Sequence, residues 1–253
     1  MTDEQLAAEL AEEAGRHLLA LRSTGGAEGK ALGALADRAA NDILLAGLAR
    51  WRPDDPVLSE ESADAPARLT RQRVWIIDPL DGTREYVEGR SDWGVHVALA
   101  VDGRPALGVV ALPAQGRLFR SDKVQPPASP PRARPLILMS RTRPCGEAAA
   151  CAEHLGADIA DMGSAGAKAM AVVAGEADLY IHSGGQHQWD NCAPAAVALA
   201  AGLHATRLDG TPLVYNRPET LIPDLVIARP ELGSRVVDFI SSRTGTDGHF
   251  DAC

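Results

Sequence analysis

WIIDPLDGTREY, residues 75–86, is the stretch on which the reading of this chain turns. An apolar run ends in Asp78, and Pro79, which lacks a backbone donor, interrupts regular strand pairing before Asp81, Gly82 and Thr83 follow. Two carboxylates three residues apart at the mouth of a sheet suit a hard divalent cation, which takes oxygen ligands. The plain alternative is a strand-ending turn in which Asp81 and Gly82 are turn formers only.

Two more acidic positions bear on that choice. LSEES (58–62) sets Glu60 and Glu61 after a short apolar run, and QWDNCAP (188–194) sets Asp190 before an Ala-rich helix. Each has an ordinary alternative, Glu60 as a solvated loop acid and Asp190 as a helix N-cap.

Around these segments, apolar periodicity predicts helices over 5–22 and 37–48, separated by the Gly-rich loop 23–30 and closed by WRPDDP. VWIID (74–78), GVHVALAV (94–101) and ALGVVALP (106–113) read as strands, the last two joined as a hairpin through Asp102 and Gly103. The proline-rich stretch 121–135 reads as a linker and divides the chain into an N-terminal α+β domain, 1–125, and a C-terminal α/β domain, 126–253. In the second, strands PLILMS and ADLYIH alternate with helices over 146–155, 167–175 and 192–202, which is the pattern of an α/β layer. A polar tail from about residue 243 follows the last apolar run, VVDFI, and carries Cys253.

Of the 253 residues, 45% are apolar and only 4% aromatic, so the core is aliphatic; the formal charge of −9 excludes a dedicated binder of nucleic acid polymers. No run approaches the roughly 20 apolar residues of a membrane span. The acidic, amphipathic N-terminus is unlike a signal peptide, and the expectation is a cytoplasmic protein with no membrane partner. Cys145, Cys151, Cys192 and Cys253 form no CxxC pair and read as reduced thiols. GGAEGKA (25–31) is one residue short of a phosphate loop and ends in Ala31, no GxSxG elbow is present, and His182 and His187 lack zinc-site spacing.

LSEES, WIIDPLDGT and WDNCAPAAVALAAG together, in that order, resemble the signature segments of the inositol monophosphatase superfamily, with coverage from about Asp37 to Gly210. LSEES, DPLDGTREY and GSAGAKAM are most similar to its branch of adenosine bisphosphate phosphatases, the CysQ type. The resemblance implies a layered α/β/α/β/α sandwich of two sheet-containing domains. It implies a lithium-sensitive phosphoric monoester hydrolase of sulfur metabolism, hydrolysing the 3′-phosphate of adenosine 3′,5′-bisphosphate. The alternatives are inositol monophosphatase or fructose-1,6-bisphosphatase activity on the same metal site, or a noncatalytic phosphometabolite-binding protein that keeps the fold.

Carried over by residue, it implies that Glu60, Asp78, the Leu80 carbonyl, Asp81 and Asp190 hold two or three Mg²⁺ ions, with Glu61 the neighbouring alternative to Glu60. Four carboxylates without a cation would repel one another, which agrees with that assignment. Glu60, Thr83 and Asp37 are the implied catalytic residues, although the residues before Asp37 are Leu35 and Ala36 and the usual threonine of the family's V-T-x-A-D segment is absent. Asp37 has the alternative role of N-cap for residues 38–48. Asp81, Gly82, Thr83, Gly163, Ser164, Lys168, Arg141 and Asp190 are the implied substrate contacts, with Ser164 also capping a helix from Ala165 and Arg143 a further candidate. The partner is a small phosphorylated metabolite; homodimers are common in the family.

Overall fold

The computed structural model describes residues 1–244. The expected two opening helices are α1 (Asp3–Thr24) and α2 (Gly29–Trp51). The first sheet follows, with β1 (Val57–Ser59), β2 (Arg73–Asp81), β3 (Gly94–Val101), β4 (Arg104–Leu112) and β5 (Arg117–Arg120) in sequential spatial order, and a single turn of helix, α3 (Thr83–Val87), after β2. The second half comprises β6 (Leu136–Ser140), α4 (Gly146–Leu155), β7 (Asp158–Met162), α5 (Ala165–Val173), β8 (Leu179–His187), α6 (Gln188–Ala200), β9 (His204–Thr206), β10 (Leu221–Ala228) and α7 (Pro230–Thr244). Its sheet runs β7-β6-β8-β10-β9, parallel among β7, β6 and β8 and antiparallel beyond.

Strand alternation explains the layering. Trp75 and Ile77 of β2 face a core shared with Leu6, Leu10, Leu18, Leu44 and Leu48 of α1 and α2. Val74 and Ile76 face the other way, into a core built on Ala169, Met170, Val172, Ala193 and Val197 of α5 and α6. That core continues to Tyr180 of β8, while Leu179 and Ile181 meet Ala148, Val236 and Ile240 of α4 and α7 behind the second sheet. The result is the expected α/β/α/β/α sandwich. Because α5 and α6 are covered on both sides, they are almost wholly small or aliphatic: every residue of α5 is buried.

Gly108 shows how close that packing is. A Cβ on it would lie 2.4 Å from the Ala193 carbonyl oxygen and 2.8 Å from Ala196 Cβ, so β4 and α6 meet through a bare Cα. Gly108→Val should cost about 1–3 kcal/mol of overpacking and lower the melting temperature by roughly 3–10 °C. Calorimetry showing an unchanged midpoint would contradict this account of the β4–α6 contact.

Several expectations are corrected. Helix α2 begins at Gly29, because Leu32, Ala36, Ala40, Leu44 and Leu48 form one continuous buried stripe; Asp37 therefore sits inside the helix and is not an N-cap. Asp190 is the third residue of α6, whose N-cap is His187. Helix α6 starts at Gln188, four residues before the expected 192, and carries Pro194 inside it. Strand β10 and helix α7 lie in a stretch where Pro223 breaks the alternation, and β10 carries a register shift at that proline. Cys145, Cys151 and Cys192 are buried free thiols. Residues 245–253, with Cys253 and all but the start of the expected tail, lie outside the described residues. Among the described residues no helix is long and apolar enough to cross a membrane.

Candidate active site

The irregularity at Pro79 builds the site. Asp78 pairs with His96 across the β2–β3 ladder and Asp81 with Gly94, so β2 advances three residues while β3 advances two. In a regular strand, residues three apart point to opposite faces. The extra residue of the bulge brings both carboxylates to one side.

Oxygen atoms of Asp78, Asp81 and Asp190 all lie within 4.8 Å of one another. Glu60, just past β1, lines the same cavity, because β1 runs parallel to β2 and ends beside it. Glu61 does not line that cavity; it faces a neighbouring groove with Asp37. The choice between the two glutamates is thus made by the turn after Ser59, whose hydroxyl accepts from the Glu61 N–H at 3.2 Å.

Asp81 is the most tightly held of the four. It accepts from Ser164 Oγ at 2.5 Å and from the N–H groups of Ala165 and Gly166 at 3.1 and 2.6 Å. His96 Nε2 lies 3.1 Å from its Oδ2, within hydrogen-bond distance but off the ideal direction. Burial pushes the Asp81 carboxyl up, but His96, Ser164 and Gly166 outweigh it and hold the group well below the usual range. The other three have the opposite balance. Burial, then the charges of Asp190 and Asp37, raise Glu60 to about 7; burial and Asp81 raise Asp190 to about 6. Asp78, fully buried and facing all three, is likewise raised, by burial first and then by the charges of Glu60, Asp81 and Asp190. An all-oxygen donor set that resists ionising for want of positive charge fits a hard divalent cation. The Leu80 carbonyl, on the same cavity wall, fits that set as well.

Thr83, at the head of α3, places its hydroxyl 3.3 Å from Asp37 Oδ1 and 3.3 Å from the Leu80 carbonyl. Burial, with the Glu61 charge, raises the Asp37 carboxyl to about 7. Gly82, at φ 89°, is in the left-handed conformation that turns the chain from β2 into α3.

The opposite wall comes from the second half of the chain. Ser164 caps α5 by accepting from the Ala167 N–H, with Gly163 beside it. Lys168 is buried and donates to the carbonyls of Gly163 and Ser164 at 2.9 and 2.6 Å; burial lowers its ammonium to about 8. Arg143 lines the cavity. Arg141 does not: it is tied to Glu85 at 2.7 Å and Glu88 at 2.5 Å.

Residues given no site role from sequence also belong here, among them His182, which the sequence brings up only against zinc-site spacing. Tyr180, His182 and Gln186 of β8 and Glu85 of α3 line the cavity, and His96 sits behind it. His96 had a signal, being the one polar side chain in the apolar run GVHVALAV. Those of β8 had none, since a strand end entering a site looks like any other.

The family model described as the inositol monophosphatase family matches residues 2–129 and 131–237. The chain is 48% identical over 246 residues to the 3′-phosphoadenosine 5′-phosphate phosphatase of Mycobacterium leprae, covering 92% of this chain and 91% of the relative. It is 36% identical over 203 residues to the 3′(2′),5′-bisphosphate nucleotidase CysQ of Escherichia coli, covering 74% and 80%. Its fold matches that of CysQ from Bacteroides thetaiotaomicron, described as a bacterial member of the inositol monophosphatase family, with a TM-score of 0.82 over 90% of this chain and 97% of that one at 24% identity. The acidic cavity is thus found in a chain that, over nearly its whole length, belongs to the inositol monophosphatase family.

Proposed function

We propose that this chain hydrolyses the 3′-phosphate of adenosine 3′,5′-bisphosphate to AMP and inorganic phosphate, with two or three Mg²⁺ ions held by Glu60, Asp78, Asp81, Asp190 and the Leu80 carbonyl. The observation that carries this reading is the convergence of those four carboxylates on a cavity whose far wall is cationic. The names of relatives at 48% and 36% identity support the nucleotide as substrate.

Bound divalent cations supply Lewis-acid polarisation and neutralise charge on the transferred phosphoryl group. The protein's part is positional. Thr83 Oγ1, its proton directed at Asp37 or the Leu80 carbonyl, keeps lone pairs free to accept from the attacking water. Glu60 is the second acceptor for that water. Asp37, outside the proposed ligand set and raised by burial to about 7, suits transient uptake, through Thr83, of the proton the water gives up. The P–O bond to water forms as the P–O bond to ribose breaks; the ribose oxygen takes a proton from solvent, and the carboxyl group returns to solvent the proton it took from the attacking water, so the site ends as it began. Gly82, Thr83, Gly163 and Ser164 frame the reacting phosphate, while Lys168 and Arg143 face the second one, with Arg141 held behind them. In this reading residues 1–125 carry the water-orienting Glu60, Thr83 and Asp37, and residues 126–253 carry Lys168 and Arg143.

The test is phosphate release from adenosine 3′,5′-bisphosphate, inositol 1-phosphate and fructose 1,6-bisphosphate, with Mg²⁺ present and chelated. A charge-assisted contact to a second phosphate is worth about 1.5–3 kcal/mol, so kcat/KM should favour the nucleotide over inositol 1-phosphate, which has none, by roughly 10- to 100-fold. Arg143→Ala should remove most of that margin and leave inositol phosphate turnover unchanged. Equal kcat/KM across the three substrates would overturn the substrate assignment, and activity indifferent to chelation or to millimolar Li⁺ would count against the metal and lithium readings respectively.

A further inference from the structure

His96 is fully buried on β3, directly across the ladder from Asp78. Its two ring nitrogens face two different parts of the site. Nε2 lies 3.1 Å from Asp81 Oδ2, and Nδ1 lies 3.2 Å from the carbonyl oxygen of Trp189, the residue before Asp190. The other groups bonded to Asp81, namely Ser164 Oγ and the N–H groups of Ala165 and Gly166, all belong to the head of α5. Of the groups that hold Asp81, His96 alone also reaches the N-terminal turn of α6, and His96 is not on the cavity wall.

We propose that His96 is a positioning residue that sets the separation of the Asp81 and Asp190 carboxylates, and through it the affinity for divalent metal; it touches neither metal nor substrate. The packing is built for this contact. A Cβ on Gly166 would lie 2.1 Å from His96 Nε2 and 3.2 Å from Asp81 Oδ2, so the imidazole reaches the carboxylate only because residue 166 has no side chain. The inference rests on the reading of the four acids as a metal site.

The amide nitrogen of a glutamine reaches about as far as Nε2 of histidine, and that of an asparagine about as far as Nδ1. His96→Gln therefore keeps a donor for Asp81, His96→Asn keeps one for Trp189 only, and His96→Leu keeps neither. The experiment titrates the full chain with Mn²⁺ by electron paramagnetic resonance without substrate, alongside the Mg²⁺ dependence of phosphate release and circular dichroism. Loss of a group that orients a metal ligand costs about 10–100-fold in affinity, and that weakening is expected for His96→Leu. His96→Gln should restore affinity to within about threefold of wild type, and His96→Asn should not. At saturating Mg²⁺ the KM for the nucleotide should be unchanged in all three. Folded His96→Leu that binds Mn²⁺ as wild type does, with only its melting temperature lowered, would overturn the proposal. Should the leucine variant not fold, equal Mn²⁺ affinity of the glutamine and asparagine variants would overturn it as well. A wild-type protein binding no Mn²⁺ would overturn the metal reading itself, and this proposal with it.

Discussion

Asp190→Asn abolishes Mg²⁺-dependent phosphate release from adenosine 3′,5′-bisphosphate and at the same time raises the melting temperature of the metal-free protein. Both effects have one cause. Asp190 brings its negative charge within 4.8 Å of Asp78 and Asp81, and it is a principal source of the charge that raises Glu60. With cations bound, that charge is an asset. Losing several kcal/mol of charge stabilisation, at 1.36 kcal/mol per factor of ten, reduces turnover by about 10³-fold. Without cations the same charge is a liability, and an amide removes it. Asn keeps an oxygen that accepts the His187 N–H, now at 2.5 Å from Asp190 Oδ2, so the start of α6 is retained. Phosphate release within tenfold of wild type would refute the ligand role; an unchanged or lower metal-free melting temperature would refute the repulsion argument.

The metal-free protein loses stability as pH rises from about 4 to 7, and Mg²⁺ restores it. Asp190 goes from an ordinary value of 3.8 to about 6 on folding, and Glu60 from 4.5 to about 7. Below pH 4 each carboxyl is protonated in both states, and folding carries no penalty for it. As pH rises, the unfolded chain releases these protons first, so the folded state is progressively disfavoured until the folded values are passed. A shift of about two units is worth on the order of 3 kcal/mol for one such group, or roughly 6–12 °C in melting temperature. Cations bind the ionised forms, so the increment from Mg²⁺ grows over the same window. His182 works in the opposite direction: burial, with the charges of Lys168 and Arg143, lowers it to about 4, and its contribution is lost as pH falls. Subtracting the Asp190→Asn profile from that of wild type cancels this term. Calorimetry with and without Mg²⁺ at pH 5 and pH 8 provides the check; equal Mg²⁺ increments at the two pH values would contradict the assignment.

The metal cradle was legible because each acid stands in a segment that reads on its own terms. Asp78 and Asp81 end an apolar run, Asp190 precedes an apolar helix, and Glu60 follows the short run that becomes β1. The order of those segments along the chain carried the resemblance, and with it the layer order. Local pattern also located β3, β4 and their Asp102–Gly103 turn to within two residues, since both turn residues take positive φ.

Position within an element was less legible. Asp37 is acidic and lies before an apolar stripe, which is what an N-cap looks like, yet the stripe begins five residues earlier at Leu32. Arg141 and Arg143 are equivalent by type and lie two apart after the same strand; Glu85 and Glu88 on α3 hold the first, and the second is left at the cavity. Lys168 sits four residues from Ser164, so α5 alone brings its ammonium back to the Ser164 carbonyl and the head of the helix.

Residue types and their order already specify which side chains are oxygen donors, that they close strands or open helices, and that the core between them is aliphatic. Those properties are local, set by residue type and by periods of two and 3.6. Which donors share a cavity, which glutamate turns inward, and that His96 spans Asp81 and the start of α6 emerge only when the chain is folded. These depend on how β2 slips by one residue against β3, on how closely α5 meets β3 at Gly166 and on how closely α6 meets β4 at Gly108, distances set by packing between segments far apart in the chain.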